Sequence, residues 1–148
     1  MRTLPMDADD GAILEVLEEW TDLLAAEDYA GALEMLPPDP EQNWTPALLE
    51  SDVYGYGLPG MSREEAVEQF GSADYRVTPL RECVDREEIV RALDVGRFVP
   101  KALPDVVGMV HYEGVPLNGR RSDLTGIFYL VKVSEGEMTL QFHDLHVM

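Results

Sequence analysis

Apolar positions along this chain recur with one period in its first half and another in its last third. Ile13, Val16, Leu17, Trp20, Leu23 and Leu24 return at steps of three and four, with Glu15, Glu18, Glu19 and Asp22 largely outside the stripe. That spacing predicts an amphipathic helix, started by Asp9 or Asp10 as cap. Ala25-Ala26-Glu27-Asp28 reads as a break. Helical spacing resumes through Tyr29, Ala32, Leu33 and Leu36 until Pro37-Pro38 ends it. Thr45-Pro46 is a helix start, since Thr can cap and Pro suits the first helical position. Ser62-Arg63-Glu64-Glu65 has the form of a capping box, with Ala66, Val67 and Phe70 as a small apolar face and Gly71 as a stop. Between these two helices, Gly55, Gly57, Pro59 and Gly60 predict a loop.

From Val106 onward the period changes to two. Three β-rich runs are divided by Asn118-Gly119 and by Ser134-Glu135-Gly136-Glu137. Asn-Gly supplies the left-handed dihedrals of a tight hairpin, so the chain is predicted to end in an antiparallel meander. Ile127, Tyr129, Val131 and Val133 share one side, and Phe128, Leu130 and Lys132 the other. Met138, Leu140 and Phe142 oppose Thr139, Gln141 and His143. Neither side of 127–133 is strongly polar, which predicts cover on both faces, by helices and by a second copy in a homodimer. Tyr75 to Pro79 resembles a short edge strand. Glu88 to Leu93 reads equally as strand or helix, and Phe98 to Pro104 as irregular. Helices followed by a meander give an α+β fold, with N-terminal helices packed on a curved antiparallel sheet, in one domain over 1–148.

Composition narrows the function classes. The 148 residues carry 29 acids against 11 Lys and Arg, a formal charge of −18. A field of that sign repels phosphate backbones and anionic lipid, so neither nucleic acid nor membrane is an expected partner. Solubility or a salt-adapted host explains the acidity, and so does a basic protein partner. Cys83 is the sole cysteine, which excludes an internal disulfide and fits a cytoplasmic setting. Its neighbours Arg81, Glu82 and Asp85 make no electropositive setting for a nucleophile. The N-terminus has no apolar run of signal-peptide length, and no stretch has the length of a membrane span.

The order of elements resembles the nuclear-transport-factor-2-like superfamily, the cystatin-like, polyketide-cyclase-like cone. The run from Ile13 through Trp20 to Leu33 is similar to its long first helix and the shorter helix after it. The run from Pro116 to Leu130, followed by Leu140 to Met148, is similar to its closing hairpin. The resemblance covers the two ends, about half of the chain. It implies a cone-shaped fold, and the ending is most similar to small bacterial members of unassigned function, some of immunity type. Fold likeness of this kind carries no activity.

Candidate chemistry is sparse. The three histidines are His111, His143 and His146. On a regular strand positions 143 and 146 face opposite sides, so one metal ion needs a bulge between them, and no metal site or cofactor is expected. A proton-transfer site in a cone pocket would use His143, Asp144 or His111, which needs burial and a perturbed pKa. Trp20, Tyr54, Tyr56 and Tyr112, with Trp44, are candidates to line such a pocket, although aromatic residues serve core packing more often. Gly55, Gly57 and Gly60 lack the Lys and Ser of a phosphate loop. Ser51, Ser62, Ser122 and Ser134 lack the Gly-x-Ser-x-Gly setting of a hydrolase. Arg120-Arg121 beside the turn reads as a solvated pair at the sheet edge. The expectation is a non-catalytic binding protein, of immunity type against a basic toxin. The alternative is a small-molecule isomerase, cyclase, hydratase or ligand carrier.

Overall fold

A computed structural model describes residues 1–55, 63–70, 76–98 and 100–147. The chain opens with β1 (Thr3–Pro5) and enters α1 (Asp10–Ala25), where the Asp9 carboxylate accepts from the Ala12 amide at 2.9 Å. Ile13, Val16, Leu17, Trp20 and Leu24 are buried as their spacing predicts, and Leu23 is half-buried. The break is real: Glu27 takes a left-handed φ of 58°. Asp28 then caps α2 (Tyr29–Met35) by accepting from Gly31 N. Thr45 caps α3 (Pro46–Tyr54) through Leu48 N at 3.1 Å. In α4 (Arg63–Phe70) Val67 is exposed, which removes it from the predicted apolar face. Ser62, Gly71 and the glycine loop after Gly55 lie outside the described residues.

After a 3-10 turn at Leu80–Glu82 come α5 (Arg86–Ala92) and β2 (Asp94–Arg97), then β3 (Val106–Glu113), β4 (Leu124–Ser134) and β5 (Glu137–Val147). The sheet is antiparallel in the order β1-β5-β4-β3-β2. It curls into a half-barrel with the N-terminal helices in its hollow, an α+β cone-like arrangement. Val110, Tyr112, Phe128, Leu130, Leu140 and Phe142 face inward onto α1. The Trp20 ring stands edge-on to Phe128, with centroids 5.0 Å apart.

Three local outcomes differ from or sharpen the sequence reading. Glu88–Leu93 resolves as helix α5, with Glu87 and Glu88 in its first turn, Arg91 in its last and Ile89 buried, charges that suit the helix dipole. β2, with one apolar residue in four, was invisible to periodicity. It lies so close to β3 that a Cβ on Gly108 would run into the Gly96 carbonyl oxygen. Among its described residues, the predicted edge strand at 75–79 makes one isolated bridge, Val77 to Leu117. That bridge belongs to a small nested turn. Asn118 (φ 53°) and Gly119 (φ 78°) form the predicted tight reversal, closed by Leu117 and Arg120. It sits inside the longer β3–β4 connection, and it is anchored on 76–78 by Asn118 N to Arg76 O and Gly119 N to Thr78 Oγ1, each 2.9 Å.

Candidate functional site

The hollow of the sheet is filled. Trp20 and Tyr112, two of the pocket candidates, are at most 1% exposed and pack in the core. Tyr112 Oη lies 2.8 Å from Thr21 Oγ1, which itself donates to Leu17 O at 2.7 Å. Tyr112 is therefore the donor in that pair. Burial pushes its phenol above the usual range. These aromatics are structural, the more frequent role for such residues.

His111, His143 and Asp144 lie on the other side of the sheet. His111 faces Ile127 in the pairing, and Ile127 faces Asp144, so the three span one row across the outer face. At Ile127/Phe128 the β4–β5 register shifts, and the extra residue in β5 is His143. Phe142 and Leu145, three apart, both point to the core as a result. The bulge thus brings His143 and His146 to the same outer side, the condition a shared ion would require. One nitrogen of each ring, Nδ1, is engaged with another group. Gln42 Nε2 contacts His143 Nδ1 at 2.9 Å, and His146 Nδ1 contacts Asp144 Oδ2 at 2.7 Å. Among the described residues no group of three His, Cys, Asp or Glu has the geometry to hold a metal.

A carboxyl that the sequence reading passed over stands behind this bulge. Asp52 occupies the buried stripe of α3 between Leu49 and Val53 and is 3% exposed. Among the described residues its Oδ1 has no hydrogen-bond partner, nor have Gln42 Oε1 and Trp20 Nε1. Burial first, and the charge of Asp144 second, push Asp52 up to about 6. The signal was available: an acid at i+3 from Leu49 on a helix whose other stripe members are apolar.

A cleft of about 420 Å³ opens where the end of α1 meets α2, α3 and segment 76–79. Tyr54, the third pocket candidate, lines it with Tyr29, Glu27 and Arg76. Tyr56, the fourth, lies outside the described residues. Tyr54 Oη donates to Glu27 Oε1 at 2.5 Å. Burial, and then the charge and hydrogen bond of Tyr54 with the charges of Glu27 and Glu50, raise the Tyr29 phenol far above its ordinary value. Tyr29 and Glu27 were not predicted here, because the break between α1 and α2 carried no pattern beyond the lost periodicity.

Charge is unevenly compensated. From Thr3 to Ser62 the chain has no Lys or Arg, while it carries acids from Asp7 to Asp52. On α1 four of the five acids are met by distant arginines: Glu18 by Arg86 at 2.5 Å, Asp22 by Arg81 at 2.7 Å, Glu19 by Arg2 at 3.2 Å and Asp10 by Arg97 at 3.7 Å, while Glu15 has no ion pair among the described residues. The bond to Asp22 raises the Arg81 pKa. Glu34, Glu41 and Glu50, exposed on α2, α3 and the segment between them, have no ion pair among the described residues.

The chain matches no family model, no curated protein and no solved structure.

Proposed function

We propose that this chain is a non-catalytic binding protein of the nuclear-transport-factor-2-like kind, of immunity type, whose α2–α3 side engages a basic protein toxin. The observation that carries the reading is the uncompensated acidity of that side. Four of the five acids on α1 are met by arginines from elsewhere in the chain, whereas Glu34, Glu41 and Glu50 are exposed and have no ion pair among the described residues. A patch of one sign steers a partner of the other and pairs with the arginines and lysines by which a nuclease holds phosphate. The filled hollow supports a binding role over catalysis within the cone. His111, His143 and Asp144, on its outer face, do not favour proton transfer to an enclosed substrate. The test is affinity capture from the native host, beside the triple variant Glu34→Lys/Glu41→Lys/Glu50→Lys. A basic protein encoded next to this chain should be retained by the wild type at low salt and lost by the variant. Equal retention by both proteins defeats the reading.

A homodimer through the outer sheet face is part of the same proposal. Ile127, Tyr129 and Val131 are half-buried there and Val133 is exposed. Light scattering across a concentration series tests it, and a monomer throughout removes it. A cytoplasmic location is likewise proposed; no helix among the described residues is long and apolar enough to cross a membrane. The second reading, a ligand carrier, is favoured by one observation, the cleft between α1, α3 and segment 76–79.

A further inference from the structure

The outer face of the sheet carries a groove of about 220 Å³, away from the filled hollow. Its floor is Tyr129, Val131 and Gln141. Tyr129 faces Gln141 in the β4–β5 pairing, and Val131 lies on the same side of β4. Tyr129 and Val131 are half-buried, and Leu103, on one wall, is 47% exposed, so the apolar lining still has surface to offer. Leu103 and Asp105 belong to the β2–β3 connection, which two turns shape: Leu103 N donates to Pro100 O at 3.4 Å, and Val106 N to Leu103 O at 3.1 Å. The Asp105 carbonyl accepts from Lys132 N at 2.8 Å and fastens that wall to β4. The other wall is Asp39, on the α2–α3 connection, which is pinned to β5 where Gln42 and Trp44 meet His143. Both walls are bonded to the sheet, so the groove is formed before anything enters it.

The polar groups of this lining are acceptors with capacity to spare. Among the described residues neither Asp39 nor Asp105 has an ion pair. The side chains of Asp105, Tyr129 and Gln141 make no hydrogen bond there, and the Asp39 carboxylate spends one oxygen on Glu41 N at 2.9 Å. An anion is repelled by both walls. An uncharged ligand leaves the two carboxylates to lose water without a partner. A compact ammonium ion is strongly hydrated and makes little use of the apolar floor. A guanidinium matches all of it: five donors for the acceptors, a planar cation that stacks on a tyrosine ring, and a methylene stem for the apolar surface. The field of a chain with net charge −18 draws such a group in.

We propose that this groove receives an arginine side chain presented by a basic partner protein. The stem lies along Leu103 and Val131, and the guanidinium meets the Tyr129 ring and the Asp39 and Asp105 carboxylates. The inference rests on the reading of a basic partner and adds an anchor point to it, since Asp39 joins the groove to the acidic α2–α3 side. An arginine seated in a pocket is the kind of contact on which interface energy concentrates. Tyr129 and Val131 also belong to the face assigned to the homodimer, so partner binding and self-association compete for them.

The experiment uses the whole chain and three tripeptides blocked at both ends, with arginine, lysine or citrulline between two glycines. Citrulline copies the shape of arginine without its charge. Methyl shifts of Leu103 and Val131 in NMR spectra report the groove, and those of the exposed Val84, beside Asp85, report general attraction to an acidic surface. The arginine peptide should shift Leu103 and Val131 with saturation and leave Val84 in place. The lysine peptide should bind about threefold more weakly, and the citrulline peptide about tenfold or more. Asp39→Asn/Asp105→Asn, which keeps an acceptor for the Glu41 amide, should weaken the arginine peptide about tenfold and leave the citrulline peptide unchanged. Near-UV circular dichroism shows that the variant keeps its fold. No saturable shift at Leu103 and Val131 up to about 10 mM overturns the proposal, including the case of a face closed by a second copy. Equal binding of citrulline or lysine overturns it, as do equal shifts at Val84. Failure here is distinguishable from failure of the reading beneath it. Capture of a basic protein through Glu34, Glu41 and Glu50 with a silent groove sinks the anchor alone, and a groove that takes the arginine peptide with no partner captured sinks the toxin alone.

Discussion

Helices α1 and α3 lie at the same core, and they are built by different rules. Every position in the buried stripe of α1 is apolar except Thr21, whose hydroxyl is bonded on both sides. Of its acids, Asp10, Glu18, Glu19 and Asp22 have arginine partners, and Glu15 has none among the described residues. Local propensity and pattern agree along its length until Glu27, with one buried polar atom, Trp20 Nε1, lacking a hydrogen-bond partner among the described residues. α3 has a good cap and a proline in its first turn, yet its stripe holds Asp52 with an unbonded oxygen, and its exposed Glu50 has no ion-pair partner among the described residues. An unsatisfied buried carboxyl costs stability. The two helices therefore divide the work: α1 supplies the stability, and α3 with the turn before α2 carries the features that stability alone does not account for.

The comparison breaks first at Trp20. Its ring contacts Phe128 and Phe142 and is fully buried, so the hollow cannot refill when it is removed. Trp20→Ala should cost about 3–5 kcal/mol in urea unfolding, a large fraction of a typical domain's stability. Equivalent truncation at Leu48, half-buried on α3, should cost far less. Comparable losses at the two sites contradict the division.

Asp52 gives the next largest effect, with opposite sign. Its folded pKa is raised from 3.8 to about 6, so the folded state binds the proton more tightly than the unfolded one. The stability contributed by that proton is complete below the unfolded value and is lost as pH rises through about 6. Asp52→Asn removes the charge and with it this pH dependence. The variant should match the wild type at about pH 4 and exceed it by about 2 kcal/mol at about pH 8, in paired urea titrations. A difference that does not change with pH shows that Asp52 is not desolvated in the folded chain.

Much of the fold was legible because two periods dominate the sequence. The stripe from Ile13 to Leu24 and the alternation from Leu124 to Phe142 are long enough to set element type, and Asp9, Thr45 and the Asn118-Gly119 pair mark their boundaries. β1 and β2 were not legible. With three and four residues they are strands by pairing to β5 and β3, and tertiary contact created them where local pattern is silent. The site was less legible than the fold. A β-bulge turned His143 to the side of His146, which no alternation rule anticipates. The cleft joins Glu27, Tyr54 and Arg76, residues that are far apart in sequence and gathered by chain reversals. Asp52 alone could have been found, as an acid in an apolar stripe.

A smaller effect tests the hydrogen bond between Tyr112 and Thr21 under α1. Tyr112→Phe deletes the donor to Thr21 Oγ1 and leaves the hydroxyl of Thr21 bonded only to Leu17 O. The ring's packing is kept, so the loss should be about 1 kcal/mol, the net worth of one buried hydrogen bond. Thr21→Val in the same background should then add little, because the bond is already gone. Full additivity of the two changes means that the bond does not form in solution.

The smallest expected effects separate paired from unpaired acids. Glu18 and Arg86 are 25% and 41% exposed at their side chains, so solvent screens the pair and Arg86→Gln should cost under about 1 kcal/mol, less at high salt. Glu50 has no ion pair among the described residues, in a chain of net −18. Glu50→Lys should therefore be neutral or stabilising by about 0.5 kcal/mol at low salt, with the gain gone at high salt. The two variants change charge in the same protein, and their opposite signs at low salt are the point of the experiment. If Glu50→Lys destabilises as Arg86→Gln does, then Glu50 has a stabilising partner in solution, and the contrast between a neutralised α1 and an uncompensated α3 is lost.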